Sequence, residues 1–301
     1  MSKLLRAHLA LLGANIIYGI NYTVAKELMP QFLTPFGFIF CRVAGALILF
    51  WLLSGFVKNE RLIKKDILRL AACGVFGVAG NQLMFFYGLN LTSPINASII
   101  MTCNPVLVLL ISALIIRERV TFRKIGGILL GLTGAIGLIL YNNPLNMSPS
   151  SSTGDLFIFL NASSYAIYLV LVKPLMQKYS PITVIKWVFL FGFIVVIPFG
   201  LEEFLAIEWS NFTSSTWLSF LFVVVCTTFL AYLFNIYGLK TLNPSVVSTY
   251  IYSQPLIATL VAISFGKDEL SWVKMLAAIA IFIGVFLVSV KSSYKSSKAT
   301  N

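Results

Sequence analysis

The sequence predicts an all-α polytopic membrane protein, with ten transmembrane helices arranged as two inverted five-helix repeats. Three observations carry that expectation: an apolar composition, ten separable apolar runs, and a lopsided placement of the few charges. Of the 301 residues, 58% are hydrophobic and 11% charged, against about 45–50% and about 25% in soluble domains. The mean hydropathy is +0.92. A water-soluble chain of this size cannot hide that much apolar surface. An ordinary cytosolic enzyme, a disordered tail and a disulfide-rich secreted module are thereby excluded.

The runs fall at 7–25, 36–55, 68–89, 94–116, 124–141, 154–172, 182–200, 215–238, 245–265 and 272–290. Each offers the roughly 20 apolar residues a spanning helix needs, and runs of that length leave no room for the short strands of a barrel. The first run follows Ser2-Lys3-Leu4-Leu5-Arg6, a signal-like start. Tyr18, Asn21 and Tyr22 occupy the zone where a small-residue cleavage site would fall, so a retained first helix is expected. The longest polar connection, 142–153, reads NNPLNMSPSSST and is too short for a soluble domain.

The formal net charge is +12, which in a soluble protein would suggest nucleic acid. Here it reads as topology. With the N-terminus in the cytoplasm, 18 of the 22 Lys and Arg fall on the cytoplasmic side and three, Lys26, Lys267 and Lys274, outside. That split satisfies the positive-inside rule and puts both termini in the cytoplasm. Arg42 is left inside a span. The partners expected are the lipid bilayer and a small-molecule solute, with no nucleic acid; the sequence sets no oligomeric state. Cys41, Cys73, Cys103 and Cys226 lie in apolar runs without C-x-x-C spacing and read as free thiols. His8 is the single histidine. No cofactor or metal pattern is present.

A repeat appears when the chain is shifted by 150. Tyr87-Gly88-Leu89 then falls on Tyr237-Gly238-Leu239, Pro94 on Pro244, Ser98 on Ser248, Pro105 on Pro255, Lys124 on Lys274 and Gly134 on Gly284. Earlier helices agree with small loop shifts: Tyr18 and Lys26 match Tyr165 and Lys173 at 147, and Thr34-Pro35 matches Ser180-Pro181 at 146. The halves are 1–145 and 146–301, each with five helices. Five is odd, so the second half enters the membrane from the opposite side. Such inverted repeats characterise transporters with a midplane site at the repeat interface; a duplicated structural membrane protein is the plainer alternative.

With these motifs in order, each half resembles an EamA domain of the drug/metabolite transporter superfamily. The resemblance rests on Arg42, Tyr87-Gly88-Leu89, Pro94, Asn104-Pro105, Glu118-x-x-Thr121 and Gly126, Gly127, Gly131 and Gly134. The second copy supplies Tyr237-Gly238-Leu239, Pro244, Gln254-Pro255, Asp268-Glu269 and Gly284. The resemblance implies ten helices, an inner-membrane location and export of small metabolites, amino acids among them. It also implies that helices three, four, eight and nine wall the site, with one and six contributing. Two departures stand out: Asp268 holds the column of Glu118, and the last helix is poorer in glycine than the fifth. The glycine-rich fifth helix could pack within or between subunits.

Polar residues inside spans are costly and default to functional roles. The expected substrate-lining set is Asn15, Tyr18, Asn81, Tyr87, Asn104, Tyr165, Tyr232, Asn235, Tyr250 and Gln254. Asn15, Tyr18 and Tyr22 share a helical face, as do Tyr250 and Gln254, whereas Asn81 and Tyr87 do not. Taken singly, each Asn could equally glue helices together, and each Tyr could sit in an interfacial belt. A lining with almost no fixed charge suits a neutral or zwitterionic, partly apolar solute. Arg42 with Asp268 or Glu269 is expected to form an outer gate, and Lys186 with Glu118 an inner one. No Asp or Glu sits mid-span, so the usual proton-relay carboxylate is missing. The rivals are a channel or a non-transporting scaffold. An intramembrane enzyme is disfavoured, since neither a G-x-S-x-G nor an Asp-rich metal motif occurs.

Overall fold

The computed structural model describes residues 2–29, 32–57, 60–92, 94–142, 152–264 and 271–290. The described residues are helical throughout, without strands, in ten rods. These are α1 (Lys3–Leu28), α2 (Pro35–Ser54), α3 (Lys64–Leu91), α4 (Pro94–Met101 and Asn104–Ile115) and α5 (Phe122–Asn142). The second five are α6 (Ser152–Lys178), α7 (Pro181–Leu205), α8 (Ser214–Thr241), α9 (Pro244–Thr249 and Ser253–Ser264) and α10 (Trp272–Ser289). All ten expected spans are there, most a few residues longer than their apolar runs.

Seven of these rods are long and apolar enough to cross a membrane by length and composition. The other three differ from these in composition or continuity. Asn15, Tyr18 and Asn21 dilute α1, while α4 and α9 are broken near their middles. The breaks stand where the repeat places Pro105 and Pro255. A proline has no N–H for the carbonyl one turn back and its ring crowds that carbonyl. The chain tightens before each proline: Thr102 N–H donates to Ile99 O at 3.1 Å, and a 3₁₀ turn spans Tyr250–Tyr252.

Two π-bulges interrupt α3 and α8, at Val75–Ala79 and Phe222–Leu230. They occupy equivalent places under the shift of 150. A π-bulge slips the hydrogen-bond ladder by one residue and frees carbonyls for other donors.

Close packing repeats the same symmetry. A Cβ on Gly127 would meet Gly284 O at 2.8 Å, and one on Gly134 would meet Ala277 O at 2.9 Å. Adding 150 to one member of each pair gives the other pair, so α5 and α10 cross about a common axis. The glycine-rich α5 thus packs within the chain. Likewise Gly88 seats Ile158 and Gly238 seats Leu11. Helix starts are capped alike. Glu203 Oε2 of α7 accepts from Phe36 N–H (2.9 Å) and Gly37 N–H (2.8 Å) of α2, and Glu60 Oε2 accepts from Ser180 N–H (2.8 Å) ahead of α7. The four cysteines are free.

Candidate functional site

The polar residues of α1, α2, α3, α6 and α8 converge on Arg42. Its side chain is 6% exposed. The Nε–H donates to Thr228 Oγ1 at 3.1 Å, and that hydroxyl in turn donates to Val223 O at 2.8 Å, a carbonyl of the α8 bulge. The guanidinium carbon lies 5.3 Å from the Phe38 ring centroid and 5.2 Å from that of Phe86. The two rings meet edge to face at 5.7 Å. Arg42 and Phe38 share a face of α2 at four-residue spacing, and Phe86 comes from α3. The plane of the charge is therefore set by two rings and one hydroxyl.

Tyrosines stand around it. The hydroxyls of Tyr18 and Tyr232 lie within electrostatic reach of the guanidinium, and Tyr165 within reach of Tyr18 and Tyr232. Tyr165 and Tyr168 hold their rings 5.9 Å apart. Tyr18 accepts from Asn235 Nδ2 at 3.3 Å, and Asn235 is steadied by its own donation to Ala231 O at 2.9 Å. Tyr232 donates to Gly77 O at 3.3 Å, a carbonyl in the α3 bulge. Thr227 donates to Asn21 Oδ1 at 3.0 Å. Gln82 is 4% exposed and its side chain approaches the Tyr232 hydroxyl, but neither its amide nitrogen nor its oxygen reaches full hydrogen-bond geometry. Orphaned buried amides are rare, because each leaves the desolvation cost unrecovered.

Of the lining residues expected from sequence, Tyr18, Tyr165, Tyr232 and Asn235 are brought together here. Asn15 and Gln254 form a separate pair, with Gln254 Nε2 donating to Asn15 Oδ1 at 2.9 Å. Asn104 donates to Ala162 O at 2.8 Å and ties broken α4 to α6; its oxygen has no partner. Asn81 is engaged through its backbone, whose carbonyl accepts from Asn161 Nδ2. Tyr250 meets His8 Nδ1 at 2.7 Å. Tyr87 is 40% exposed. It faces away from the cluster, stacked on Phe36 with Phe157 at its edge. Its six-residue offset from Asn81 already put the two on different faces.

The expected inner pair of Lys186 with Glu118 is not formed. Glu118 takes Lys124 Nζ at 2.7 Å, because Lys124 opens α5 only six residues on and folds back over the turn. Lys186 Nζ lies 5.1 Å from the Trp51 ring centroid instead. Asp268 and Glu269 lie outside the described residues. Among the described residues no acid pairs with Arg42.

Sequence reasoning missed Phe38, Phe86 and Thr228 as partners of Arg42. The four-residue spacing of Phe38 was available. The contacts from α3 and α8 depend on tertiary packing and on bulges that shift the register, so no local signal carries them. Gln82 was visible as a polar residue in a span but had no spacing to single it out.

A helical membrane fold of two matched halves enclosing a polar, aromatic cluster defines the class of polytopic solute carriers. The EamA-like transporter family matches the chain twice, over residues 5–140 and 152–290, and the chain belongs to that family. It is 24% identical over 290 residues to the uncharacterized transporter YyaM of Bacillus subtilis, covering 95% of this chain and 94% of that protein. It is 25% identical to the uncharacterized inner membrane transporter YicL of Salmonella typhimurium, covering 99% and 100%. A solved crystal structure has the same fold, with a TM-score of 0.78 at 18% identity, covering 94% of this chain and 96% of that one. Membership in the family makes the chain a membrane transporter of a small-molecule solute.

Proposed function

We propose that the protein is an inner-membrane secondary transporter that exports a small metabolite, amino acids being the leading class, by alternating access between repeats 1–145 and 146–301. The observation that carries the reading is the polar cluster itself. Tyr18, Asn21, Arg42 and Gln82 come from the first half, and Tyr165, Tyr168, Thr228, Tyr232 and Asn235 from the second. A site built from both halves is the one a rocking motion alternately exposes. The α3 and α8 bulges sit beside the cluster in both halves and give each helix a place to bend. The positive-inside count supports cytoplasmic termini. No catalytic constellation or nucleic-acid role is assigned.

Counterflow in proteoliposomes tests the reading. Liposomes carrying the purified protein and loaded with unlabelled amino acids should accumulate external label transiently and saturably. Flux that is linear in concentration, without counterflow, would indicate a channel; no flux for any solute of a broad panel would indicate a scaffold.

A further inference from the structure

We propose that Arg42 is the anchor for a carboxylate group of the transported solute, and that the site takes a monocarboxylate with a flat, apolar body. The proposal rests on the transport reading above and names its substrate class. It begins from an energetic imbalance. An ion buried without a counter-ion costs several kcal/mol even after relaxation. Arg42 has neither of the two described ion pairs, and its one hydrogen bond uses Nε and leaves both terminal nitrogens free. The Phe38 and Phe86 rings offset part of that cost, about 2 kcal/mol each, but bring no opposite charge. What they do is fix the guanidinium plane. A planar fork held in place with its two outer nitrogens unspent is the arrangement that grips a carboxylate through two parallel N–H···O bonds.

The count of charge sets the valence. One cation and no acid surround the cluster among the described residues, so a single carboxylate group, on a monoanion or a zwitterion, pairs the one buried charge. A phosphate dianion would leave a buried negative charge instead. The neighbours set the body. Tyr18, Tyr165, Tyr168 and Tyr232 offer faces and edges suited to a planar group. The under-satisfied amide of Gln82, next to the Tyr232 hydroxyl, supplies hydrogen-bonding capacity for a further polar group on the solute. Arg42 on this proposal contacts the solute directly and is not a gate.

The test uses the full chain in lipid nanodiscs and proteoliposomes, with probes paired by charge. Phenylacetate is compared with its neutral isostere phenylacetamide, and L-phenylalanine with phenethylamine. Equilibrium binding should favour each carboxylate over its partner by at least about tenfold, the factor expected for one charged hydrogen-bonded pair. Arg42→Gln should weaken carboxylate binding by about 10–100-fold and change phenylacetamide by less than about threefold. Arg42→Lys, which keeps the charge and loses the fork, should fall between. If Arg42→Gln does not yield folded protein, Thr228→Val keeps the arginine but frees its Nε, and should narrow the carboxylate preference several-fold. Wild-type protein that binds the neutral or amine probes as well as the acids overturns the anchor, whether or not it transports them. Protein that binds none of the four also overturns it. Arg42-dependent carboxylate binding without counterflow leaves the anchor standing and removes the transport reading.

Discussion

Position 42 of α2 is an arginine; at the equivalent place in α7, 146 residues on, stands Val188, fully buried. The clamp around Arg42 has no counterpart either, since Phe38 corresponds to Val184 and Phe86 to Ile236. Gln82 corresponds to Tyr232, and Gly77 in one bulge to Thr227 in the other. Yet the backbone devices match in both halves: prolines that break α4 and α9, bulges in α3 and α8, and glycines where α5 crosses α10. The two halves keep the scaffold and divide the chemistry. A symmetric pair of arginines would set two unpaired cations in one core, whereas a single one makes a site with a direction.

The sharpest way to break that comparison is to restore the symmetry. Val188→Arg buries a charge with neither the ring clamp nor a Thr228 equivalent in reach. It should cost about 3–5 kcal/mol, as uncompensated buried charges do, read as a lowered unfolding midpoint or lost expression. Arg42→Met should leave the midpoint within about 1 kcal/mol, or raise it, since it removes a charge that the fold does not neutralise. A large loss from Arg42→Met would show that the charge serves the scaffold. Gly284→Val tests the shared axis. Its Cβ would meet Gly127 O at 2.6 Å and Gly131 N at 2.8 Å, backbone atoms that cannot turn aside. A loss of at least about 1–3 kcal/mol is expected. Gly126→Ala, with nothing within 4 Å of the added carbon, should change little.

A smaller effect separates the equivalent pair Gln82 and Tyr232. Tyr232→Phe strands the Gly77 carbonyl and should cost about 1 kcal/mol. Gln82→Leu gives up only a loose contact with the Tyr232 hydroxyl, since neither amide atom reaches full hydrogen-bond geometry, so thermal stability should hold or rise while counterflow falls. Equal destabilisation by the two would mean that the contact between Gln82 and Tyr232 serves the fold.

The fold was legible because its causes are local and repeated. Run length, the Pro105/Pro255 register and the odd helix count per half all survive without tertiary information. Within the site, Arg42 announced itself by cost alone, and Tyr18, Tyr165, Tyr232 and Asn235 by lying in spans. Their grouping was not legible, for two reasons. Asn15, Asn104 and Tyr250 have the same residue chemistry but spend it on Gln254, the Ala162 carbonyl and His8. The bulges also shift the phase of α3 and α8 by a residue, so helical-wheel arithmetic carried across a bulge misplaces every residue beyond it. The expected Lys186–Glu118 pair is absent from this structure for a third reason, a nearer cation at Lys124.

The acidic caps give the smallest and most specific test of the duplicated scaffold. Glu203 receives two N–H groups from the start of α2, and Glu60 receives one from Ser180 ahead of α7. Glu203→Gln keeps the shape and loses the charge at a helix N-terminus, for about 0.5–1 kcal/mol. Glu60 stands in a connection, where partial burial works to raise its carboxyl. Hydrogen bonds from Thr183 and Ser180, with the charge of Lys240, outweigh that and hold it below its ordinary value of 4.5. A carboxylate whose folded value is depressed adds stability above its unfolded value and loses it as pH falls through the folded one. Because Glu60 is largely open to solvent, the contribution is a few tenths of a kcal/mol. Unfolding midpoints of wild type and Glu60→Gln should therefore differ slightly at pH 7 and converge as the pH drops below about 4.5. A difference that persists unchanged in acid would assign the Glu60 contact to packing instead of charge.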